Sequence, residues 1–251
     1  AVDNPPNPWR GAHVEFLGEP PSTPVCVYEE EAKTVVSDNA SPDVPFRFSV
    51  NPYRGCFHGC AYCYARPSHE YLDWGAGSDF ESRLVVKTNA PEVLAAELGK
   101  SSRLRGERIM FSGVTDAYQP LEASYELTRR CLQVCHRFDS PVGVITKGAL
   151  VERDAELLAA IGRRTHARVY VSIPFFDGDL ARAIEPYAAL PERRLKTIER
   201  LTDAGVETGV SVSPIIPGLN DDAIPTVLER ARAAGAQHAF MILLRLPGSV
   251  G

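Results

Sequence analysis

From residue 46 onward the chain alternates short β-branched runs with amphipathic stretches of ten or more residues, and this alternation restricts the fold more than any other feature. It reads as a series of parallel βα units, because parallel strands need a long crossover and the crossover is usually a helix. Strands are expected at 46–50, 84–87, 109–113, 142–146, 169–173, 208–213 and 239–244. Between them, Ala90-Pro91-Glu92 opens a helix that Gly99 should close, and residues 122–138 carry apolar side chains at helical spacing. Gly205 and Gly235 each follow a helical stretch and precede a strand, where a left-handed backbone is needed. Right-handed crossovers curl such a sheet toward a barrel, and setting 84–87 aside as an extra or edge strand leaves six core units. The expected class is therefore α/β.

Residues 1–45 behave differently. They hold eight of the chain's twenty prolines and show no sustained periodicity. The expectation is an extended Pro-rich arm that wraps a core formed by 46–251, with a short strand at 25–28 pairing locally.

No apolar run approaches the roughly 20 residues that cross a bilayer, and the start Ala1-Val-Asp-Asn lacks the basic and apolar parts of a signal peptide. A cytoplasmic protein with no membrane partner is the default. With 27 basic and 32 acidic side chains the net charge is -5, so nothing attracts nucleic-acid phosphates globally. The groups Arg103, Arg105, Arg108 and Arg163, Arg164, Arg168 read as solvated helix ends.

Half of the six cysteines fall in eight residues, Cys56-Phe-His-Gly-Cys60-Ala-Tyr-Cys63. That crowding fits reduced thiols and a metal better than three disulfides. A cubane iron-sulfur cluster is usually held by four thiolates, so a loop offering three leaves one iron open for chemistry. Gly55 and Gly59 allow sharp turns around a bulky group. A zinc site, with His58 competing inside the loop, and a disulfide pair are the alternatives.

A CxxxCxxC loop with an aromatic residue before its last cysteine resembles the signature of radical S-adenosylmethionine enzymes. The longer strings Asn51-Pro-Tyr-Arg-Gly-Cys56 and Tyr62-Cys63-Tyr64-Ala65-Arg66 resemble the branch related to spore photoproduct lyase, and the resemblance covers roughly residues 41 to 246. It implies a partial (βα)6 TIM-like barrel of parallel strands behind the Pro-rich arm. It also implies a 4Fe-4S cluster on Cys56, Cys60 and Cys63, and S-adenosylmethionine on the open iron. Cleavage of that cofactor to a 5'-deoxyadenosyl radical, and hydrogen abstraction from a substrate, would follow. The implied partners are a reductase, flavodoxin or ferredoxin as electron donor and a substrate related to nucleic acid or nucleotide. Relatives of this kind continue past the last strand, so 46–251 is expected to be a barrel shortened at its C-terminal side.

Parallel barrels place their active sites at the C-terminal ends of the strands, which directs attention to the polar residues there. By resemblance, Lys147 and Ser172 match a lysine and a serine that contact the cofactor, and Tyr62 matches the aromatic against the adenine. Thr115 and Asp116 fall where the lyase has a Ser-Asp pair near the cofactor. The stretch Glu185-Pro186 through Arg194 also has a counterpart there, and Arg194 could hold the methionyl carboxylate through two hydrogen bonds, which Lys could not reproduce. Where the lyase has a cysteine that returns a hydrogen atom to product, this chain has Gly113, so Tyr64 and Tyr118 become the candidate hydrogen-atom relays. Cys131 and Cys135 share a helix face with His136 adjoining, which reads as core, and Cys26 as a bystander. His69 and Glu70 could face substrate or end a helix. The competing function classes are an iron-sulfur electron-transfer or sensor protein that never cleaves S-adenosylmethionine, and a zinc-dependent nucleic-acid module.

Overall fold

A computed structural model describes residues 24–40 and 46–246, and all structural statements below concern these residues. The strands in chain order are β1 (Cys26–Glu30), β2 (Val36–Asp38), β3 (Phe48–Val50), β4 (Tyr53–Arg54), β5 (Arg83–Lys87), β6 (Ile109–Phe111), β7 (Val142–Thr146), β8 (Ala167–Ser172), β9 (Glu207–Ile215) and β10 (His238–Leu243). Seven of them form one open sheet in the order β10-β9-β8-β7-β6-β3-β2. Its six members from β3 to β10 run parallel, and β2 pairs antiparallel at the edge. These six are the core units expected from the alternation, and the fold is α/β.

The expected strand at 84–87 belongs elsewhere. β5 joins β1 and β4 in a separate three-stranded sheet. The strand expected at 25–28 therefore pairs in parallel with β5, 57 residues away in register, rather than locally. Most of the Pro-rich arm, 1–23 and 41–45, lies outside the described residues, as does 247–251.

Apolar side chains of the central strands, including Val50, Ile109, Phe111, Val142, Val144 and Val169, are buried in one continuous core. Helices at Ala155–Arg164, Pro191–Asp203 and Ile224–Ala233 pack on the strands that flank them, through residues such as Leu158, Ile198 and Val227. Gly205 and Gly235 adopt φ of 83° and 98°, the left-handed turn expected at each helix end. Gly99 does not end its helix. That helix runs Ala90–Lys100 and stops where Ser101 turns extended.

The helix expected across 122–138 is broken into Glu122–Tyr125 and Leu127–Arg137 by Glu126 at φ 50°. The cause is Glu122, whose side chain is fully buried. Its carboxylate folds back to accept hydrogen bonds from the N–H groups of Thr128 and Arg129, at 2.9 and 3.1 Å, satisfying two of the free donors at the second helix's N-terminus. It also accepts from Tyr53 Oη at 2.5 Å and Arg153 Nη2 at 2.6 Å. Removing one member of such a buried network leaves charges and donors unpaired. Glu122→Ala is expected to lower unfolding stability by about 3–5 kcal/mol, read from urea denaturation. Glu126→Ala, at an exposed position, should change it by less than about 1 kcal/mol.

Candidate active site

The loop between β4 and the 3-10 helix Arg66–Leu72 brings Cys56, Cys60 and Cys63 to the C-terminal end of β3. All three are free thiols. The loop turns at Gly55 and Gly59, with φ of 73° and 66°. At Gly55 the turn is also crowded, since a Cβ there would stand 2.7 Å from the Phe80 carbonyl and 2.9 Å from His69 Cε1. Arg66 supports the loop from below. Its buried guanidinium donates to the carbonyls of Cys60 at 3.1 Å, Gly59 at 3.2 Å and Gly77 at 2.7 Å, and pairs with Glu81 at 2.8 Å. Gln119, also buried, accepts from the Phe57 N–H at 2.9 Å and donates to the Gly55 carbonyl.

Burial raises the thiols of Cys56 and Cys60, the latter to about 12, with Asp116 adding to the effect at Cys56 and Lys147 opposing it at Cys60. Burial raises Cys63 as well. Two buried thiols and one half-buried, influencing one another, suit a ligand that brings its own positive charge. Among the described residues no three His, Cys, Asp or Glu side chains converge on a single metal ion. A multi-iron cluster asks for a different arrangement, one thiolate per iron, and the donor set here is wholly soft sulfur.

Asp116, on the loop after β6, binds this cysteine loop to its neighbours. Oδ1 accepts from Thr146 Oγ1 at 2.6 Å and the Tyr118 N–H at 2.9 Å, and Oδ2 accepts from the Lys147 N–H at 2.7 Å. His58 Nδ1 lies 3.3 Å from Oδ2. Burial alone would raise this carboxyl, but His58 and the donors around it hold it far below the usual range. His58, an alternative zinc ligand by sequence, faces this carboxylate. Thr115 donates to the Gly55 carbonyl at 2.5 Å, so both Thr115 and Asp116 hold the loop directly.

A second polar centre forms around Glu185, at the end of the helix Gly178–Ile184. Its carboxylate accepts from Tyr62 Oη and from Arg194 Nη2 at 2.5 Å, and Lys147 Nζ stands 3.8 Å away. Burial alone would raise Glu185, yet Arg194 and Lys147 lower it. Burial alone would lower Lys147, and Cys60 and Glu185 raise it instead. The Lys147 ammonium also lies 5.5 Å from the centre of the Tyr62 ring, within cation–π range. Arg194 is 1% exposed, and its other donors reach the carbonyls of Ala189 at 2.6 Å and Ser172 at 2.8 Å. Tyr62, Lys147 and Arg194 thus meet around one carboxylate, and Arg194 ties it to the backbone of Ser172.

Tyr64 and Tyr118 part company. Tyr64 is 59% exposed, and its hydroxyl donates to the carbonyl of Gly113 at 2.5 Å. Tyr118 is buried and donates to Asp154 at 3.1 Å, in the network of Arg153 and Glu122. Cys131 and Cys135 lie in the core, and His69 is buried against Phe80 and Trp74. The sequence reading did not assign roles to Arg66, Gln119 or Glu185. Arg66 had a signal, a charged residue directly after the cysteine loop in the Tyr62-Cys63-Tyr64-Ala65-Arg66 string, and Glu185 had one as the start of the stretch through Arg194 that has a counterpart in the resembled family.

The sequence profile of the Radical SAM superfamily matches residues 50–231. An uncharacterized protein of Mycobacterium tuberculosis is 38% identical over 208 residues, covering 82% of this chain and 61% of its own length. An uncharacterized protein of Methanocaldococcus jannaschii is 33% identical over 175 residues, 70% of this chain and 62% of its own. The chain spans about 61% of the length of such curated relatives. Among solved structures, a spore photoproduct lyase mutant with bound AdoMet and dinucleoside spore photoproduct superposes with a TM-score of 0.69. The two are 16% identical, and the match covers 94% of this chain and 69% of the other, a likeness of fold.

The turn at Gly55 offers a direct test against Gly106, which has a similar φ of 74° and open space for 4 Å around the position a Cβ would take. Gly106→Ala is expected to cost about 1–2 kcal/mol of unfolding stability for the backbone alone. Gly55→Ala should cost more in the same urea titration, because the Phe80 carbonyl must also move.

Proposed function

The chain belongs to the radical SAM superfamily of enzymes, and from that premise we propose that it binds a 4Fe-4S cluster on Cys56, Cys60 and Cys63 and uses S-adenosylmethionine to start a radical reaction. The observation that carries this reading is the meeting of three free thiols, two of them buried, with Lys147, Tyr62 and the Asp116 loop at adjoining strand ends. When bound, such a cluster supplies the electron that cleaves S-adenosylmethionine to methionine and a 5'-deoxyadenosyl radical able to abstract a hydrogen atom.

The chain's own residues orient and enclose. Arg66, Gln119 and Thr115 hold the loop carbonyls and so fix the path of the loop that carries the three thiols. Tyr62, fixed by Glu185, offers a ring face to the adenine, with Lys147 and Ser172 as further cofactor contacts. Asp116 positions the Lys147 backbone and, with Thr115, lines the cofactor's polar side. Arg194 has its guanidinium committed to Glu185, so its part is to keep that carboxylate ionised and Tyr62 in place. Tyr64 is the preferred hydrogen-atom relay, since its hydroxyl sits on the Gly113 carbonyl where the lyase-like pattern would have a cysteine. Tyr118, hydrogen-bonded within the Asp154 network, is assigned a packing role.

For the substrate we favour a nucleic-acid or nucleotide-related molecule, supported by the dinucleoside ligand of the structurally similar lyase and by no direct contact in this chain. A lyase reaction, a flavodoxin or ferredoxin donor and a cytoplasmic setting complete the proposal. Among the described residues no helix is long and apolar enough to cross a membrane.

Anaerobic reconstitution of the chain should give about four irons per chain and dithionite-dependent 5'-deoxyadenosine. Cys60→Ala should abolish both. An intact cluster that yields no 5'-deoxyadenosine would overturn the reading. Tyr64→Phe should retain 5'-deoxyadenosine formation while product yield from the true substrate falls at least about tenfold, a loss of some 1.4 kcal/mol. Equal yields from both proteins would remove Tyr64 from the reaction.

A further inference from the structure

Gly148 directly follows Lys147 at the end of β7, and its backbone does not demand a glycine. Its φ of -82° and ψ of 123° are open to any residue. What the position lacks is space. A Cβ there would overlap the Tyr118 carbonyl oxygen and stand 3.0 Å from both the carbonyl carbon and the Cβ of Tyr118. The obstacle is backbone, which has no rotamer to turn aside, unlike the Met110 and Tyr170 side chains that crowd Gly143 and Gly209. A carbon and a carbonyl oxygen in contact rest at about 3.3 Å or more, so a side chain at 148 has to part the two loops by on the order of 1 Å.

The loop after β6 is too well fastened to absorb that displacement. The Ala117 carbonyl accepts from Thr128 Oγ1 at 2.7 Å, and the Ala117 N–H donates to Ser112 Oγ at 2.9 Å. The buried Tyr118 hydroxyl donates to Asp154 at 3.1 Å. Movement therefore falls on residues 146–148. These are clasped to Asp116: the Gly148 N–H donates to Thr146 Oγ1 at 2.8 Å, and Thr146 Oγ1 donates in turn to Asp116 at 2.6 Å. Lys147, whose N–H donates to the same carboxylate at 2.7 Å, lies in the middle of the clasp.

The Lys147 side chain has little slack. Its ammonium is 3.8 Å from Glu185 and 5.5 Å from the centre of the Tyr62 ring. Ion pairs reach to about 4 Å and cation–π contacts to about 6 Å, so both contacts stand near their outer limits. A backbone shift of about 1 Å exceeds either margin, and misplacements of that size can cost an enzyme about a hundredfold.

We propose that Gly148 is a positioning residue: lacking a Cβ, it lets the loops after β6 and β7 lie in backbone contact, and that contact sets the Lys147 ammonium against Glu185, Tyr62 and the cofactor. The inference rests on the reading of Lys147 as a cofactor contact given above.

The test measures S-adenosylmethionine affinity of the anaerobically reconstituted full chain through the EPR spectrum of the reduced cluster, together with iron content and melting temperature. Gly148→Ala should keep about four irons and bind S-adenosylmethionine about tenfold more weakly. Gly143→Ala is the control for a clash that only disturbs packing, since its Cβ would overlap Met110 Sδ within β7. It should lower the melting temperature by about 3–9 °C and leave the affinity within about twofold. In a Lys147→Met background, Gly148→Ala should cost less than about a further twofold, because the group it positions is gone. Thr146→Val removes the hydroxyl between Gly148 and Asp116 without adding bulk. It should weaken binding in the same way and lose its effect in the same background, which keeps the test decisive if Gly148→Ala does not fold. Wild-type affinity in a folded Gly148→Ala, or in Thr146→Val where Gly148→Ala does not fold, would overturn the proposal and leave the cofactor reading standing. An undiminished loss in the Lys147→Met background would do the same. A wild type that holds its cluster and binds no S-adenosylmethionine would overturn both.

Discussion

The buried carboxylate of Asp116 is the interaction on which the site depends. It joins three loops that follow three different strands, by accepting from Thr146 and the Lys147 N–H after β7 and pairing with His58 in the cysteine loop after β3. A carboxylate this buried is stable as an ion only when every lone pair is occupied and an opposite charge is near. Thr146, Tyr118, the Lys147 N–H and His58 occupy its oxygens, and the Lys147 ammonium is near enough to feel its charge, so the strand ends are locked relative to one another rather than merely adjacent.

Glu185 repeats the principle on the other side of the loop. An isolated buried carboxylate would take up a proton, but Arg194 and Lys147 stabilise the anion, and the anion in turn fixes Tyr62. The result is a ring face and an ammonium held beside the thiols with little freedom to rearrange, which is the preorganisation that positioning a large cofactor requires. Arg194 is the residue whose type suggests a contact with the cofactor's carboxylate. Its guanidinium has the fork geometry that suits a carboxylate, and the carboxylate it holds is the protein's own.

Much of the fold was legible because its signals are local. The six parallel core strands followed from runs whose side-chain period and length belong to buried strands, and the left-handed turns at Gly205 and Gly235 from a steric preference confined to one residue. The errors arose where a distant group intervened. The helix over 122–138 broke because Glu122 supplied its own cap and drew Glu126 into a left-handed turn, and the strand at the arm's end paired with β5 rather than locally. In the site, family resemblance singled out Tyr62, Lys147 and the stretch from Glu185 to Arg194, and only the fold showed that Tyr62, Lys147 and Arg194 gather at the Glu185 carboxylate.

By itself the sequence determined the βα succession, the three-cysteine loop and its placement after the first core strand, since hydrophobic period and ligand spacing are properties of neighbouring residues. Tertiary structure alone decided which polar groups meet. Tyr62 and Glu185 are 123 residues apart in the chain, and Gly148 meets the Tyr118 carbonyl only because β6 and β7 pair in one register. Such pairings depend on strand register and on the path of each crossover, and burial then makes them decisive, because a charge removed from water must find its partner wherever the fold has put it.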